Sequence, residues 1–267
     1  MNDDSDQAIS LAVGRRYFFD EILSLDWYKF QTRHYNIKEF GKKTAKWPNV
    51  EKLFYLPEVA TGLKQVIRWS AYKHLPIYPQ STYTHTFGLT FLGYEFPKKM
   101  NGSLAIPLDK ELMLKACLCH DIPEGIKKID VPYAQKSVEQ DVIEYLSFKQ
   151  LIEKEADMED LESLEKIYLL QFCTGEIEKF PDHAKALMLE MWQNYPQEIL
   201  WFKFLENFDY LLYAEYQYVK FDIRELIAKV AAAQVPVINE LVAELPHLKR
   251  IWTDKANNHF SQFIIST

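Results

Sequence analysis

The sequence contains few glycines and few cysteines. Its 267 residues include eight glycines, and no glycine-rich phosphate loop is present, which argues against a P-loop or dinucleotide-binding enzyme. The three cysteines, Cys117, Cys119 and Cys173, are too few for a disulfide framework and predict a reducing compartment. Cys117 and Cys119 stand two apart in an apolar segment, which is not the spacing of zinc ligands. We expect them to be small buried side chains.

Further absences limit the expected location and partners. No run of about eighteen uncharged apolar residues occurs, so no membrane span is expected. The first residues, Met1–Asp6, are acidic and polar, unlike the basic and apolar start of a signal peptide. The formal net charge is −7, and no lysine or arginine cluster suits a nucleic-acid backbone. We therefore expect a cytoplasmic protein that binds neither a membrane nor a nucleic-acid polymer, and any phosphate that it binds should belong to a small molecule in a local pocket.

The residues that are present predict an all-α fold. Hydrophobic residues make up 48% of the chain and aromatic residues 15%, enough for a thick core. Apolar residues recur every three to four positions, and alternating patterns are scarce. The predicted helices lie near residues 15–34, 57–70, 82–96, 110–122, 136–156, 159–173, 182–194, 197–220, 222–245 and 251–264.

Local signals predict where several of these helices begin and end. Pro97–Pro107 and Gly41–Pro48 have loop compositions. Asp109 is a candidate N-cap for the helix that follows. Pro123 should end or kink that helix, because proline cannot donate the backbone hydrogen bond. On its outer face, Glu111 and Lys115 are predicted to pair across one turn on the solvent side.

Four polar residues occupy positions where the helical period requires apolar ones. His85 shares its face with Gly88, Leu89 and Leu92. His120 and Asp121 follow apolar residues at spacings of three, four and seven. Asp209 lies in a stripe of leucine, phenylalanine and tyrosine side chains. A carboxylate buried there alone would cost roughly several kcal/mol unless it were paired or coordinated.

Each of these residues has a simpler explanation when it is taken singly. A lone inward histidine is usually a hydrogen-bonded core residue, and a lone inward aspartate usually caps a helix or pairs with a cation. Together, however, two imidazoles and two carboxylates suit one divalent transition metal (Mn, Fe, Co, Ni or Zn) and leave coordination positions for water and substrate. Periodicity by itself does not establish that three separate helices converge on one point.

The same four residues resemble the signature of a known family. His85, the doublet His120-Asp121 and the distant helical Asp209 are similar to the H…HD…D pattern of HD-domain phosphohydrolases. This resemblance implies an HD-domain helical bundle, with these four residues as ligands of one metal ion. It implies a catalytic core over residues 57–220, with helical extensions at 1–56 and 221–267, the latter packing on the core.

Flanking residues resemble the HD-domain 5′-deoxynucleotidases in particular. His120–Glu124 is similar to their HDxxE motif, and Asp130-Val131-Pro132 to the Asp-(apolar)-Pro that follows it. Upstream, Leu63–Trp69 resembles the Leu-Lys…Arg-Trp segment that precedes the first ligand histidine. The likeness covers roughly residues 60 to 219.

The resemblance also implies a role for each flanking residue. Glu124 would orient or deprotonate the attacking water, and Asp130 would contact water or the sugar. Arg68 would hold the phosphate, and Trp69 would line the sugar pocket. The expected activity is removal of phosphate from a (deoxy)nucleoside 5′-monophosphate or a similar small phosphomonoester. The simpler alternatives are that Glu124 and Asp130 are exposed loop carboxylates, and that Arg68 is an exposed cation packed on Trp69.

Two other functions stay open at this point. Dinuclear HD-domain enzymes need additional histidines between the doublet and the last aspartate, where this chain has only His183; a single metal is therefore favoured. A non-catalytic or regulatory helical protein that binds a metal or nucleotide is the alternative to an enzyme. Apolar stripes in residues 221–267 are suited to closing the core or to forming a homodimer face.

Overall fold

Helices supply the regular structure of the described residues, which are 46–69, 80–129 and 137–264 in a computed structural model of the protein. The predicted all-α fold class is confirmed for this part of the chain, where the only β-type pairing is an isolated bridge between Ile67 and Ser81. The helix predicted at 15–34 lies outside the described residues, as does Asp130.

Eleven α-helices are present in the described part of the chain. They are α1 (Glu51–Phe54), α2 (Pro57–Gln65), α3 (Thr82–Met100), α4 (Lys110–Cys119), α5 (Ile122–Lys127), α6 (Val138–Glu155), α7 (Leu161–Leu169), α8 (Asp182–Asn194), α9 (Pro196–Phe221), α10 (Arg224–Glu244) and α11 (Asp254–Ser261). Short 3-10 helices lie at Asn101–Ser103, Met158–Asp160, Leu170–Phe172, Ile177–Lys179 and Pro246–Arg250.

The long helix α9 runs through the core of the unit formed by residues from 46 onward. It packs against α10 on one side and against α3 and α4 on another. Among its fully buried side chains are Trp201, Phe202 and Phe204, which supply the aromatic core that the composition predicts. The helix thus spans from the C-terminal segment to the part of the molecule that holds the predicted ligands.

A two-residue turn at His120 and Asp121 separates α4 from α5. Asp109 caps α4 by accepting a hydrogen bond from the Leu112 backbone N–H at 3.0 Å, as predicted. The helix ends at Cys119, earlier than predicted, and Pro123 lies in the first turn of α5. Proline is favoured at a helix start because its missing N–H is not needed there. The doublet therefore occupies a turn between two helices.

Helix α4 ends earlier than predicted, whereas α3 ends later than predicted, because it includes Pro97, where the sequence predicts a loop. Helix α3 continues through Pro97 to Met100. The Asn101 side chain then bonds both the backbone N–H and the carbonyl of Leu108, each at 3.0 Å. These two bonds link Asn101 and Leu108 at the two ends of the loop. The irregular segment is shorter than the composition indicates because α3 continues to Met100.

Helices α2 and α5 cross at two glycines. A Cβ atom added at Gly62 would lie 1.7 Å from the carbonyl oxygen of Gly125, which no side chain can accommodate. The two backbones can approach this closely only because both residues lack side chains. This crossing sets α5, which carries Glu124, against the helix that leads to Arg68.

The predicted solvent exposure of Lys115 is wrong. Lys115 is 3% exposed, and its Nζ donates to the Pro48 carbonyl at 2.6 Å. Its pairing with Glu111 at 3.6 Å agrees with the prediction. Residues 46–54 lie over this face of α4, which a helical pattern within α4 cannot reveal.

Helix α10 is long and apolar enough to cross a membrane by length and composition, with a mean hydropathy of 1.5 in its most apolar window. It packs along α9 and buries residues such as Leu226, Ile227 and Ile238. The core helices of soluble proteins can have the same length and apolar composition, so α10 is weak evidence for a membrane span. The absence of a membrane partner stays a prediction.

Candidate metal centre

His85 lies at the base of the candidate site, in the first half of α3. Its side chain is 0% exposed, which confirms the predicted inward face. The Nδ1 atom lies 2.7 Å from Asp209 Oδ2. Because an ionised carboxylate only accepts, Nδ1 carries the proton and Nε2 keeps its lone pair. Burial, followed by the nearby charge of Arg68, lowers the pKa of His85 and favours its neutral form.

His120 lies in the turn after α4 and has the same tautomer. Its Nδ1 donates to the Cys117 carbonyl oxygen at 2.8 Å, so Nε2 keeps the lone pair whenever the ring is neutral. The two Nε2 atoms face each other at 3.3 Å. Two lone pairs at this distance repel unless a proton or a cation lies between them. The Cys117 carbonyl and Asp209 thus bind the two Nδ1 atoms, which leaves both Nε2 atoms facing the same point, where they could act as metal ligands.

Asp121 completes a group of three buried residues that could hold a metal ion. Its Oδ2 atom lies 3.0 Å from His120 Nε2 and 3.7 Å from His85 Nε2. With the 3.3 Å between the two nitrogens, these atoms form a triangle whose corners lie about 2 Å from its centre. Metal–nitrogen and metal–oxygen bonds have about this length, so the spacing of these three atoms is compatible with a metal ion between them.

Electrostatics favour charge separation within this group. Burial opposes the ionisation of both His120 and Asp121, but their mutual attraction and hydrogen bond outweigh it. The pKa of His120 is therefore raised, and the pKa of Asp121 is held well below its usual range. Without a metal, His120 therefore favours a proton on Nε2 beside the ionised Asp121. A metal ion would displace that proton, because a ligand imidazole is neutral and a ligand carboxylate is ionised.

Asp209 lies behind His85 and outside the group of three. It is buried on α9, as predicted, and its Oδ2 bonds the Nδ1 edge of His85, whereas Nε2 faces His120. A carboxylate in this position orients a ligand histidine and raises its basicity. In this geometry Asp209 contacts His85 and would act on a bound metal only through that imidazole; its role as a direct ligand stays a prediction.

Glu124 is buried on the first turn of α5. Its Oε2 accepts a hydrogen bond from Thr82 Oγ1 at 3.0 Å, which ties α5 to the start of α3, one turn before His85. The alternative of an exposed loop carboxylate does not hold for Glu124. Asp130, its predicted partner, lies outside the described residues.

A short backbone pairing positions Arg68. Its N–H donates to the Gln80 carbonyl at 2.9 Å, and the Thr82 N–H donates to the Val66 carbonyl at 3.0 Å. The guanidinium is buried, with Nη1 3.3 Å from Asp121 Oδ2. Arg68 is therefore not an exposed cation: it reaches the same carboxylate oxygen that belongs to the candidate metal group.

Trp69 follows in a left-handed backbone conformation with φ 70°, which is rare for a bulky side chain. Its Nε1 donates to Gln80 Oε1 at 3.0 Å, and its ring stacks on Tyr213 with centroids 5.4 Å apart. These contacts fix the indole of the residue that directly follows Arg68 in the sequence. Backbone conformations of this kind often occur at functional sites.

Several residues around the site were not predicted. Thr86 Oγ1 lies 3.4 Å from Asp121 Oδ2, and Tyr210 OH lies 3.1 Å from Arg68 Nη2. Thr82, which contacts Glu124, was also not predicted. It precedes His85 by three positions and so shares the buried face of the helix, which is a signal that could have identified it. Tyr210 directly follows Asp209 and carried no such signal, because adjacent helical residues point in different directions.

The other histidine considered from the sequence, His183, is not part of the centre. Its side chain is 52% exposed and lies 3.4 Å from Glu165. Among the described residues, only His85, His120 and Asp121 form a group of metal-ligating atoms. The number of metal ions stays a prediction.

Comparison of the chain with protein-family models, curated proteins and solved structures finds no match.

Proposed function

We propose that this protein is a divalent-metal-dependent phosphohydrolase of the HD-domain type. One observation carries the proposal: the buried guanidinium of Arg68 lies 3.3 Å from Asp121, within the group that could hold a metal ion. Arginine binds phosphate through a planar fork that contacts two oxygens at once. A phosphate held by Arg68 would therefore lie beside the metal, as hydrolysis of a phosphate ester requires.

His85, His120 and Asp121 would hold the metal, with Asp209 either orienting His85 or joining the ligands. The chemistry that a divalent cation supplies is polarisation of a phosphoryl oxygen and a lower pKa for water. Glu124 is buried and fixed by Thr82, which suits a carboxylate that accepts a proton from the attacking water. Arg68 would neutralise charge on the phosphoryl oxygens.

The proposed substrate is a (deoxy)nucleoside 5′-monophosphate or a similar small phosphomonoester. Trp69 supports this choice because its indole is held beside Arg68, where the sugar of a bound nucleotide would lie. The formal net charge of −7 disfavours a long polyanion and favours a small substrate in a local pocket. A cytoplasmic location and a possible homodimer remain predictions from the sequence.

The Arg68–Asp121 contact also favours a second candidate, a non-catalytic helical protein. Asp121 Oδ2 already has Arg68, His120 and Thr86 as neighbours, so the buried carboxylate is neutralised without a metal. Such a protein would bind a metal or nucleotide without turnover, or would use the cluster for stability only.

Metal content and phosphate release distinguish these functions. The purified protein is analysed for transition metals, and phosphate release is measured from a panel of deoxynucleoside monophosphates with added Mn²⁺ or Co²⁺. We expect about one metal per chain, metal-dependent release, and loss of both in His120→Ala. His183→Ala is the matched control, and both properties should survive in it. Tight nucleotide binding without release would favour the second candidate, and a chain that binds no metal would contradict the proposal.

A further inference from the structure

Tyr210 contacts three residues of the proposed site at once. Its ring stacks on the His85 imidazole at 19°, with centroids 5.5 Å apart, and meets Trp69 edge-on at 5.8 Å. The Arg68 guanidinium carbon lies 5.4 Å from the centre of the same ring, a cation–π contact. The metal-ligating, sugar-lining and phosphate-binding candidates therefore share one neighbour, which has no assigned role.

The Tyr210 hydroxyl also has a defined direction. It accepts from Arg68 Nη2 at 3.1 Å and donates to Glu206 Oε1 at 3.3 Å. Glu206 lies one turn earlier on α9, where its other oxygen accepts from Lys203 Nζ at 3.0 Å. The contacts form a chain from Lys203 through Glu206 and Tyr210 to Arg68, which in turn reaches Asp121.

We infer that Tyr210, oriented by Glu206, is a positioning residue that holds the Arg68 guanidinium for a phosphate bound at the metal centre. This inference rests on the proposed function. Arg68 Nη1 is paired with Asp121, whose charge is shared when a cation binds. Because a bound cation repels the guanidinium, an attachment at Nη2 stabilises its position. The Tyr210 hydroxyl supplies that attachment and uses one of the five guanidinium donors, leaving others for phosphate.

Glu206 orients the Tyr210 hydroxyl. By accepting the hydroxyl proton it leaves a Tyr210 lone pair directed at Nη2, so the bond to Arg68 does not compete with another orientation of the hydroxyl. Tyr210 on Nη2 and Asp121 on Nη1 therefore hold the two ends of the guanidinium, which suits a residue that must align with two phosphate oxygens.

Tyr210→Phe tests this role because it keeps the ring and removes only the hydroxyl. Binding of inorganic phosphate to the Mn²⁺-loaded protein is measured by titration calorimetry, and metal affinity is measured separately. We expect phosphate affinity to fall about tenfold or more, as for a lost hydrogen bond to a charged group, while metal affinity is unchanged. With an active phosphomonoester substrate, KM should rise more than kcat falls.

Tyr168→Phe is the matched control. Tyr168 is fully buried, and its hydroxyl has no hydrogen-bond partner within the described part of the chain. Its ring stacks on Phe148 and its hydroxyl makes no hydrogen bond to Arg68, so phosphate affinity should equal that of the wild type. Glu206→Ala should weaken phosphate binding in the same direction as Tyr210→Phe. The double variant should be no weaker than Tyr210→Phe alone, because Glu206 acts through that hydroxyl.

The outcomes separate this inference from the proposed function. Wild-type phosphate affinity in Tyr210→Phe would overturn the positioning role even if the protein is an active phosphatase. Equal losses in the Tyr168 control would also overturn it, since they would reflect packing in general. A protein that binds phosphate, loses that binding in Tyr210→Phe and yet hydrolyses nothing would support the positioning role and contradict the proposed activity. If the loaded wild type binds no phosphate, both fail.

Discussion

Asp209 and His85 form a buried carboxylate–imidazole pair, with Oδ2 2.7 Å from Nδ1. The carboxylate fixes the proton on the Nδ1 edge and leaves Nε2 to face His120 and Asp121. Two residues 124 positions apart in the chain therefore define which atom of His85 is available as a ligand.

The pair predicts the effect of Asp209→Asn. The amide can still accept the Nδ1 hydrogen bond but carries no charge, so His85 becomes a weaker ligand. We expect metal affinity to fall about 10- to 100-fold, the range for the loss of such an orienting partner. Competition with a chromogenic chelator measures it. Asp182→Asn, a change to an exposed aspartate, is the control. Complete loss of metal would instead indicate a direct ligand, and unchanged affinity would indicate a structural role only.

Glu124→Gln is expected to separate catalysis from metal binding. The glutamine keeps the shape of the side chain and an oxygen for the Thr82 hydroxyl, but it cannot accept a proton. The rate should fall roughly 10²- to 10⁴-fold, as for a lost acid–base group, with metal content unchanged. Steady-state kinetics and elemental analysis provide the two measurements. Glu139→Gln, at an exposed position, is the control. Hydrolysis at the wild-type rate would remove Glu124 from the mechanism.

The glycine crossing predicts a large loss of stability in Gly62→Ala. The added methyl group would lie 1.7 Å from the Gly125 carbonyl oxygen, so α2 and α5 must move apart. Overpacking of this kind costs about 1–3 kcal/mol or more, measurable by denaturant unfolding. Gly102→Ala is the matched substitution, because nothing lies within 4 Å of the added atom. Equal stability of the two variants would show that the crossing is looser than described.

Asp109 predicts part of the acid sensitivity of the fold. Its burial opposes ionisation, but hydrogen bonds from Leu112, Trp47 and Lys46 outweigh that effect and lower its pKa below the ordinary 3.8. The folded state therefore binds this proton less readily than the unfolded state. Its stabilising contribution is complete above pH 3.8 and is lost as the pH falls from there through the lowered pKa.

Asp109→Asn should flatten this dependence. Asparagine still caps α4 but does not titrate, so the free energy of unfolding should fall less steeply with acid than in the wild type. Chemical denaturation repeated between neutral pH and about pH 3 measures the slope. Identical slopes in the two proteins would mean that Asp109 has the same pKa in the folded and unfolded states.

Within the described residues, the sequence by itself determined most of the longer helices and the buried positions of His85, His120, Asp121 and Asp209. It did so because the buried face of a helix repeats with the helical period, and apolar residues three, four and seven positions away identify that face. The helix predicted over 57–70 ends at Gln65, and α1 and α5 were not predicted. The limits of that information appear where other segments intervene. Lys115 has a polar partner one turn away, as predicted, but residues 46–54 cover it. Pro97 carries a loop signal, but the helix passes through it.

Only the tertiary structure decided how the three helices meet. Periodicity fixes the face on which a side chain lies, but not the distance or rotation between helices whose contacts span more than a hundred residues. Asp209 therefore proved to lie behind His85 rather than beside His120, and Tyr210 was found against Arg68, 142 positions away. These relations follow from the α2–α5 glycine crossing, the turn at His120 and Asp121, and the packing of α9 on α3, none of which a single helix can specify.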